Sequence, residues 1–465
     1  MHVPPRSYGS AKALARRSFV ARRIVLPTQS FFHTEGPGGV LLLASALAAL
    51  ALANSPWGIW LKVVWGFHIA FEVGPFLSYH GDVREFINDG LMAVFFYVVG
   101  LEIKRELVEG RLSSPKKAAL PVVAALGGMV VPALLYSLCN IGRPGAHGWG
   151  VPMATDIAFS VGVLIFLGDR VPAPARVFLL GLAIADDLGA IAVIAAFYSH
   201  GISLVALGVA LAILILIAGM IRLGVRSGNA YLLAGLAFWL AVLDSGLHPT
   251  LAGVVLGAMA PIRPWFSLYT FEQSAGKLMR RFRRALGMGD FDRAEAIMGQ
   301  VEELSRGTES TLDRRLRQIH PWSSYVVLPL FALANSGVEL TAESLTRASS
   351  SGITWGILLG LVVGKPLGII GFAWLAVKAR LASPPEGARW ADIIGVGMVA
   401  GIGFTVSLFV AGLAFDDLSQ VEDAKIGILA ASAVAGVAGF AFLRTRPKPQ
   451  GREVIGAMKN SNEHS

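Results

Sequence analysis

Residues 176–198 read RVFLLGLAIADDLGAIAVIAAFY, a run of Leu, Ile, Val, Ala and Phe with two adjacent carboxylates, Asp186 and Asp187, at its centre. A helix of about 20 such residues crosses a hydrocarbon layer ~30 Å thick. An ionisable side chain in such a helix costs ~2.5–3.5 kcal/mol on insertion scales, so its presence points to function. This stretch therefore sets both the solvent, which is lipid, and the first candidate site.

Eleven further apolar runs follow the same pattern. With 176–198 they make twelve candidate spans: 37–57, 89–108, 118–138, 149–168, 176–198, 202–221, 229–244, 246–262, 322–341, 352–377, 391–414 and 424–443. Gly246 and Pro249 after Asp244 favour a tight turn that divides 229–262 into two short helices. No strand-period pattern of a membrane barrel recurs, so the predicted fold is all-α and polytopic. Composition agrees. Only 15% of the 465 residues are Asp, Glu, Lys or Arg and the mean hydropathy is +0.61, whereas soluble chains carry about 25% charged residues. The single cysteine, Cys139, excludes an internal disulfide framework and multi-cysteine metal or iron–sulfur sites.

The net charge of +9 is topological. Twelve spans put both termini on one side, and assigning that side to the cytoplasm places 32 of the 40 Lys and Arg there. Lys62, Arg84, Arg143, Arg347 and Lys425 fall opposite, and Lys104, Arg105 and Lys365 fall inside spans. That is the positive-inside asymmetry, and nucleic-acid binding is not needed to explain it. Residues 1–34 lack Asp and Glu and share the composition of an organellar transit peptide; the reading adopted is a basic cytoplasmic tail. The transmembrane domain then runs over 35–446 with one sizeable cytoplasmic insert, 264–320, whose charges alternate as on a solvated helical face, and a C-terminal tail follows at 447–465.

Consecutive helical residues point ~100° apart, so Asp186 and Asp187 cannot form one clamp but can face one polar cavity from adjoining edges. Carboxylates this close resist simultaneous ionisation and titrate as a coupled pair. A monovalent cation or protons relieve the repulsion, and mutually exclusive binding of the two is the minimal exchanger. The alternative is structural: one Asp pairs with Lys365 and the other caps a break. Two spans look discontinuous, the fourth at Pro152-Met-Ala-Thr155-Asp156 and the eleventh at Ala400-Gly-Ile-Gly-Phe-Thr-Val-Ser407. Unwound backbone at membrane depth is tolerated only where it is buried in protein or lines a cavity. Asp156 suits the positive half-helix ends and Lys365 the negative ones. Spans three to five and ten to twelve each have a broken middle helix in opposite orientation, the pattern of an inverted repeat with the two broken helices crossing. A third cluster, Glu102-Ile-Lys-Arg-Glu106, closes the second span after Asn88-Asp89 at its start; Glu102 and Glu106 lie one turn apart.

Taken together, FFHTEGPGG (31–39), NDGLMAVFFYVVGLEIKREL (88–107), GGMVVPALLY (127–136), ATDIAFSVGVL (154–164), LAIADDLGAI (182–191), SGLHPTLAGV (245–254), HPWSSYVVLPLFALANSGV (320–338), GKPLGI (364–369) and GIGFTVSLF (401–409) resemble the bacterial NhaA family of Na+/H+ antiporters. The resemblance covers about Phe31 to Arg446. It implies a multi-pass protein of the bacterial inner membrane that expels Na+ or Li+ against periplasmic protons, electrogenically and by alternating access, in the service of sodium and pH homeostasis. It implies a transporter rather than an enzyme, with no cofactor beyond the transported ions. The resemblance also implies that Asp186 and Asp187 bind Na+ and protons with help from Thr155, that Asp156 balances the half-helix ends, and that Lys365 pairs with Asp186. It further implies a pH-response cluster of Glu102, Arg105, Glu106, His248 and His320, and a homodimer through a periplasmic hairpin within 60–85. Two departures stand out. The insert before His320 is long, and a Glu-His pair expected just ahead of it is Leu316-Arg317 here.

Rival classes fit less well. An intramembrane aspartyl protease would place its carboxylates on two facing helices, and a channel is poorly served by paired carboxylates with a lone lysine. A Na+-coupled symporter on the same broken-helix fold is the nearer competitor and would need a larger organic-substrate cavity.

Overall fold

The computed structural model describes residues 36–446 apart from 74–76, 200, 226, 263, 265 and 386, so the two tails at 1–34 and 447–465 lie outside the described residues. The described chain is almost entirely helical, with one hairpin. Helix α1 (Gly36–Ala53) turns by 113° into the short α2 (Gly58–Trp65). Strands β1 (His68–Val73) and β2 (Leu77–Asp82) then pair antiparallel, with His68 opposite Asp82. This hairpin occupies the stretch expected at 60–85. It leads directly into α3 (Val83–Val108), whose start is fixed by Asp82 accepting from the Glu85 amide at 2.7 Å.

Next come α4 (Pro115–Cys139), a 3-10 stretch Pro144–Met153, α5 (Ile157–Leu167), α6 (Ala173–Phe197), α7 (Leu204–Arg222), α8 (Gly228–Asp244) and α9 (Thr250–Met259). The insert is made of α10 (Leu268–Gly287), α11 (Phe291–Thr308) and α12 (Thr311–Trp322), with α10 and α11 packed on each other through Leu278, Phe282, Ala285, Ala294 and Ile297. The chain re-enters through α13 (Leu328–Asn335), crosses α14 (Ala342–Ser350) and α15 (Gly352–Lys378), and ends in α16 (Trp390–Val399), α17 (Phe404–Ala414) and α18 (Leu418–Arg444).

Among the described residues six helices are long and apolar enough to cross a membrane, or nine if each bent pair counts as one span. All twelve apolar runs contain helix, two of them broken in the middle, and two others hold less helix than their hydropathy suggested. The run 246–262 is helical only from Thr250, because Gly246 takes φ +81 and Pro249 closes a turn. The run 322–341 ends as helix at Asn335 and begins with a π turn at Ser323–Val327. Another π turn, Gly360–Gly364, sits inside α15. Pro329 and Pro366 follow these turns. In a regular helix each ring would collide with the carbonyl four residues earlier, at Tyr325 and Val362, and each lacks an amide to donate, so the preceding turn widens.

Burial locates the centre of the molecule. The apolar window of α6 is 56% buried and that of α7 only 11%, so α6 is central and α7 presents Leu204, Val205, Leu211 and Ile215 outward to lipid. Close approach is made by small residues, as expected where lipid supplies no hydrophobic drive between helices. Gly127 of α4 and Gly368 of α15 face each other so tightly that a Cβ on either would strike the other's carbonyl. A Cβ on Gly100 of α3 would lie 2.5 Å from the Val254 carbonyl of α9. The first of these contacts draws α15, and with it Lys365, into the middle of the bundle.

Candidate functional site

Both interrupted spans expected from the sequence are broken. The segments on either side of Ala154–Asp156 meet at 44°, and those on either side of Ala400–Gly403 at 47°. The two unwound stretches lie against each other: the Asp156 amide donates to the Ile402 carbonyl at 2.7 Å. Each break leaves a helix C-terminus with unpaired carbonyls and a helix N-terminus with unpaired amides. Those orphan groups decide what the surrounding side chains do.

Asp156 serves both N-termini. Its Oδ1 accepts from the Phe159 amide of α5 at 2.9 Å, and its Oδ2 accepts from the Thr405 amide of α17 at 3.0 Å and from the Thr405 hydroxyl at 2.5 Å. One fully buried carboxylate thus sits where two positive helix ends converge, the placement that stabilises an ionised acid in a dry interior. The Phe404 amide is taken by Ser432 Oγ of α18 at 3.2 Å.

The C-terminal ends are satisfied from other elements. Lys365 Nζ donates to the Met153 carbonyl, which closes the 3-10 half of the first break. Ser160 Oγ donates to the Val399 carbonyl at 3.2 Å, and Thr155 Oγ1 lies 3.1 Å from the Ala400 carbonyl, both at the end of α16. Ser407 Oγ reaches back to the Val151 carbonyl at 2.8 Å.

Asp186 joins this network from the middle of α6. Its Oδ2 accepts from Lys365 Nζ at 2.6 Å and from Thr155 Oγ1 at 2.7 Å, and both charged side chains are 0–1% exposed. Thr155 has one hydroxyl proton and two acceptors in reach, Asp186 and the Ala400 carbonyl, so it can give up the carboxylate by rotating to the carbonyl. The other oxygen of Asp186, Oδ1, is buried with no hydrogen-bond partner among the described residues. Asp187 is 4% exposed, and among the described residues no hydrogen bond or ion pair reaches it. A buried unsatisfied carboxylate oxygen is expensive to leave without a proton or a cation. One carboxylate and half of its neighbour therefore have vacant acceptor capacity, while the lysine and the threonine hold the remaining oxygen.

The structure brings Asp186, Lys365, Thr155 and Asp156 into one connected cluster, with Asp187 beside it. It divides the other five residues. Glu102 Oε1 lies 3.8 Å from His320 Nε2, and Arg105 Nε lies 3.4 Å from Asp313 Oδ1, which ties the end of α3 to α12. Glu106 is one turn further along α3. His248 is elsewhere. Its Nε2 is 3.7 Å from Asp89 Oδ1 and its Nδ1 is 2.7 Å from Thr250 Oγ1, near the opposite end of α3, about 20 Å along the axis from Glu102 by helical rise. There His248 lines a cavity of about 160 Å³ with Glu85, Asn88, Asp89 and Asn335, and packs edge-on against Phe409 of α17 with ring centroids 5.1 Å apart.

Sequence reading missed Asp313, Asn335, Ser160 and Ser432 as participants. Asn335 donates to Asn88 Oδ1 at 2.8 Å and so fastens α13 to α3. A serine or asparagine in an apolar run carries no signal of its own partner, and only the fold supplies it. Among the described residues there is no group of three or more His, Cys, Asp or Glu of the kind that holds a resident metal.

Comparison with known proteins places this geometry in context. The family model described as Na+/H+ antiporter 1 matches residues 29–443. The chain is 43% identical to a Na+/H+ antiporter NhaA 2 of Sorangium cellulosum, over 100% of this chain and 98% of the relative. It is equally 43% identical to a Na+/H+ antiporter NhaA 3 of Acidiphilium cryptum, over 93% and 94% of the two chains, and to a Na+/H+ antiporter NhaA of Syntrophobacter fumaroxidans, over 92% and 93%.

Proposed function

The chain belongs to the Na+/H+ antiporter 1 family, a family of multi-pass membrane transporters rather than enzymes, and from that premise we propose that it exports Na+, or Li+, in electrogenic exchange for periplasmic protons across the bacterial inner membrane. The observation that carries this reading is the divided pair on α6: Asp186 is engaged through Oδ2 by Lys365 and Thr155 while its Oδ1 is buried without a partner, and no hydrogen bond or ion pair among the described residues reaches the 4%-exposed Asp187.

In this reading Na+ binds to the vacant oxygens of Asp187 and Asp186, with Thr155 and nearby carbonyls completing the shell. Protons compete for the same oxygens. Two carboxylates can carry more protons than the single charge of one Na+, so each cycle moves net positive charge inward. Asp156 and Lys365 hold the half-helix ends in register while one helical unit rocks on the other. This reading takes the twelve apolar runs as twelve spans arranged as an inverted repeat, with both termini and the 264–320 insert in the cytoplasm. The hairpin within 60–85 then lies on the periplasmic side, where it can join two copies, and Glu102, Arg105, Glu106, His320 and, from the far side, His248 adjust the response to pH.

Collapse of a preset pH gradient in everted vesicles, followed by dequenching of a fluorescent amine as Na+, Li+ and K+ are added in turn, tests the exchange. Asp187→Asn should abolish Na+-driven proton movement while the purified protein keeps its wild-type chromatographic profile and melting temperature within a few degrees. Wild-type exchange in folded Asp187→Asn protein would overturn the site assignment.

A further inference from the structure

Away from the carboxylates, the last turn of α5, the 3-10 turn Gly168–Arg170 that follows it and the end of α18 flank an open cavity of about 330 Å³ lined by Phe166, Leu167, Arg170, Phe440 and Arg444. Its position is unusual for its charge. Arg170 and Arg444 stand at the membrane-boundary ends of two helices that pack on each other, on the face that carries most of the cations. Among the described residues neither arginine forms an ion pair, and Asp169, the acid beside Arg170, is exposed and pairs with neither. Arg170 donates one hydrogen bond, from Nη1 to the Arg444 carbonyl at 2.8 Å, and so anchors itself on the last carbonyl of α18. A guanidinium has five N–H donors in a fork that fits a phosphate, so most of that capacity is unused. The Arg444 guanidinium extends over the Phe440 ring at 5.9 Å, clear of any acid that would occupy it.

The walls continue the pattern. Val437, Phe440 and Arg444 are spaced three and four residues apart, so they share one stripe of α18. Val437 is 71% exposed and Phe166 on α5 is 70% exposed, both facing the region that lipid occupies. An apolar track thus runs from the membrane interior up to two unpaired cations at its edge. Cationic pockets between membrane helices at the cytoplasmic boundary bind anionic lipid headgroups.

We propose that this cavity binds one anionic phospholipid, its phosphate held between Arg170 and Arg444 and its acyl chains lying along Phe166, Phe440 and Val437. The lipid would bridge α5 and α18 across the mouth of the first broken span. The zwitterionic lipid of the same chain length carries the same phosphate but adds a choline cation beside the arginines, so the site should select phosphatidylglycerol over phosphatidylcholine.

Native mass spectrometry of the full-length detergent-purified protein, titrated separately with dioleoylphosphatidylglycerol, dioleoylphosphatidylcholine and inorganic phosphate, tests the proposal. The wild type should retain one phosphatidylglycerol in clear preference to phosphatidylcholine, with no adduct at comparable inorganic phosphate. Each arginine near an anionic headgroup contributes about fivefold, so R444Q should lose about fivefold in retention and R444E should lose the preference altogether. Arg170→Gln also breaks a helix-end hydrogen bond and can perturb the fold, so the Arg444 variants decide the matter. Those variants should exchange Na+ normally in phosphatidylcholine proteoliposomes. Equal retention of the two lipids, undiminished phosphatidylglycerol retention by folded R444E, or saturation by inorganic phosphate alone would overturn it.

Discussion

The two breaks share a backbone device but not a chemistry. The stretch Ala154–Asp156 carries a carboxylate and a hydroxyl, whereas Ala400–Gly403 carries only Ala, Gly and Ile. Asp156 nevertheless caps the helix after each break, and the C-terminus of α16 is closed by Thr155 of the first break and Ser160 of α5 together with the Gly401 and Ile402 amides. The first unwound stretch itself supplies side chains to both breaks; the second unwound stretch supplies only backbone, and the hydroxyls on its side, Thr405 and Ser407, come from the start of α17. Glycine explains why the second can do so. A Cβ at Gly401 would lie 2.5 Å from the Leu361 carbonyl, and one at Gly403 would press on Leu361 at 3.0 Å and the Ala154 carbonyl at 3.2 Å. The uncharged break is narrow so that the charged one can reach across it. Charge is thereby concentrated on one side of the crossing, where it connects through Thr155 to Asp186.

The most disruptive way to break this asymmetry is to remove the fully buried cation at its centre. Lys365 holds both the Met153 carbonyl of the charged break and Asp186 Oδ2. Deleting one partner of a buried, hydrogen-bonded ion pair costs about 3–5 kcal/mol, because the remaining charge is left uncompensated. Lys365→Ala should lower the melting temperature by more than any other single change at the crossing and should reduce transport as well. The sign with pH follows from the carboxylate. Once Asp186 takes up a proton the penalty falls, so the deficit relative to wild type should grow as pH rises. Differential scanning fluorimetry across pH measures it; an unchanged melting temperature at high pH would mean that the pair seen here contributes nothing.

Asp156→Asn is a milder change and sharpens the comparison. The amide keeps an acceptor but loses the charge facing two helix N-termini, each worth ~0.3–1 kcal/mol and up to ~2 when buried. If one residue serves both breaks, amide exchange should accelerate together at 157–160 and at 404–407. Hydrogen–deuterium exchange reads this directly. Acceleration confined to 157–160 would show that α17 is held by Ser432 and its own packing, and that the breaks are independent.

Much of this asymmetry could be read from the chain before any coordinates. Asp156, Asp186, Asp187 and Lys365 stand out because they fall in the middle of apolar runs whose other charges lie towards the ends, and Pro152 and the Gly401/Gly403 pair mark where helices fail. The partners were less legible. That one Asp of the pair meets Lys365 was open to the residues themselves, but that it is Asp186 followed from resemblance alone; that Asp156 spans both breaks follows from a crossing that no local pattern encodes. The π turns were also silent, although Pro329 and Pro366 supply their reason. The turn at Ile87–Leu91 contains the weak helix formers Asn88, Asp89 and Gly90 but no proline, and its cause is not evident from the local sequence. His248 shows the limit of motif transfer, since the structure puts it on Asp89 and Phe409 rather than beside His320.

The smallest effect is expected farthest from the crossing. If the charged break and its neighbouring carboxylates already sense pH, through protons competing with Na+ at Asp186 and Asp187, no separate switch is required. Competition by one proton raises the apparent KM for Na+ about tenfold per pH unit well below the site's apparent pKa and leaves the maximal rate nearly unchanged. At the cytoplasmic end of α3, Glu102 lies 3.8 Å from His320, and unperturbed histidine is the side chain that titrates in this range. Here the two residues ahead of it are already committed: Leu316 packs with Leu101, Ala260 and Leu312, and Arg317 pairs with Glu309 at 2.6 Å. A glutamate at 316 would put a carboxylate against that apolar cluster, so the clean test is Arg317→His alone. It exchanges an exposed permanent cation for a titrating one and should shift the pH profile of exchange by no more than a few tenths of a unit. Rates measured in proteoliposomes at saturating Na+ separate the two accounts. A maximal rate that collapses at acid pH, and that Arg317→His displaces by a full unit, would place the pH response at the α3–α12 contact and not at the crossing.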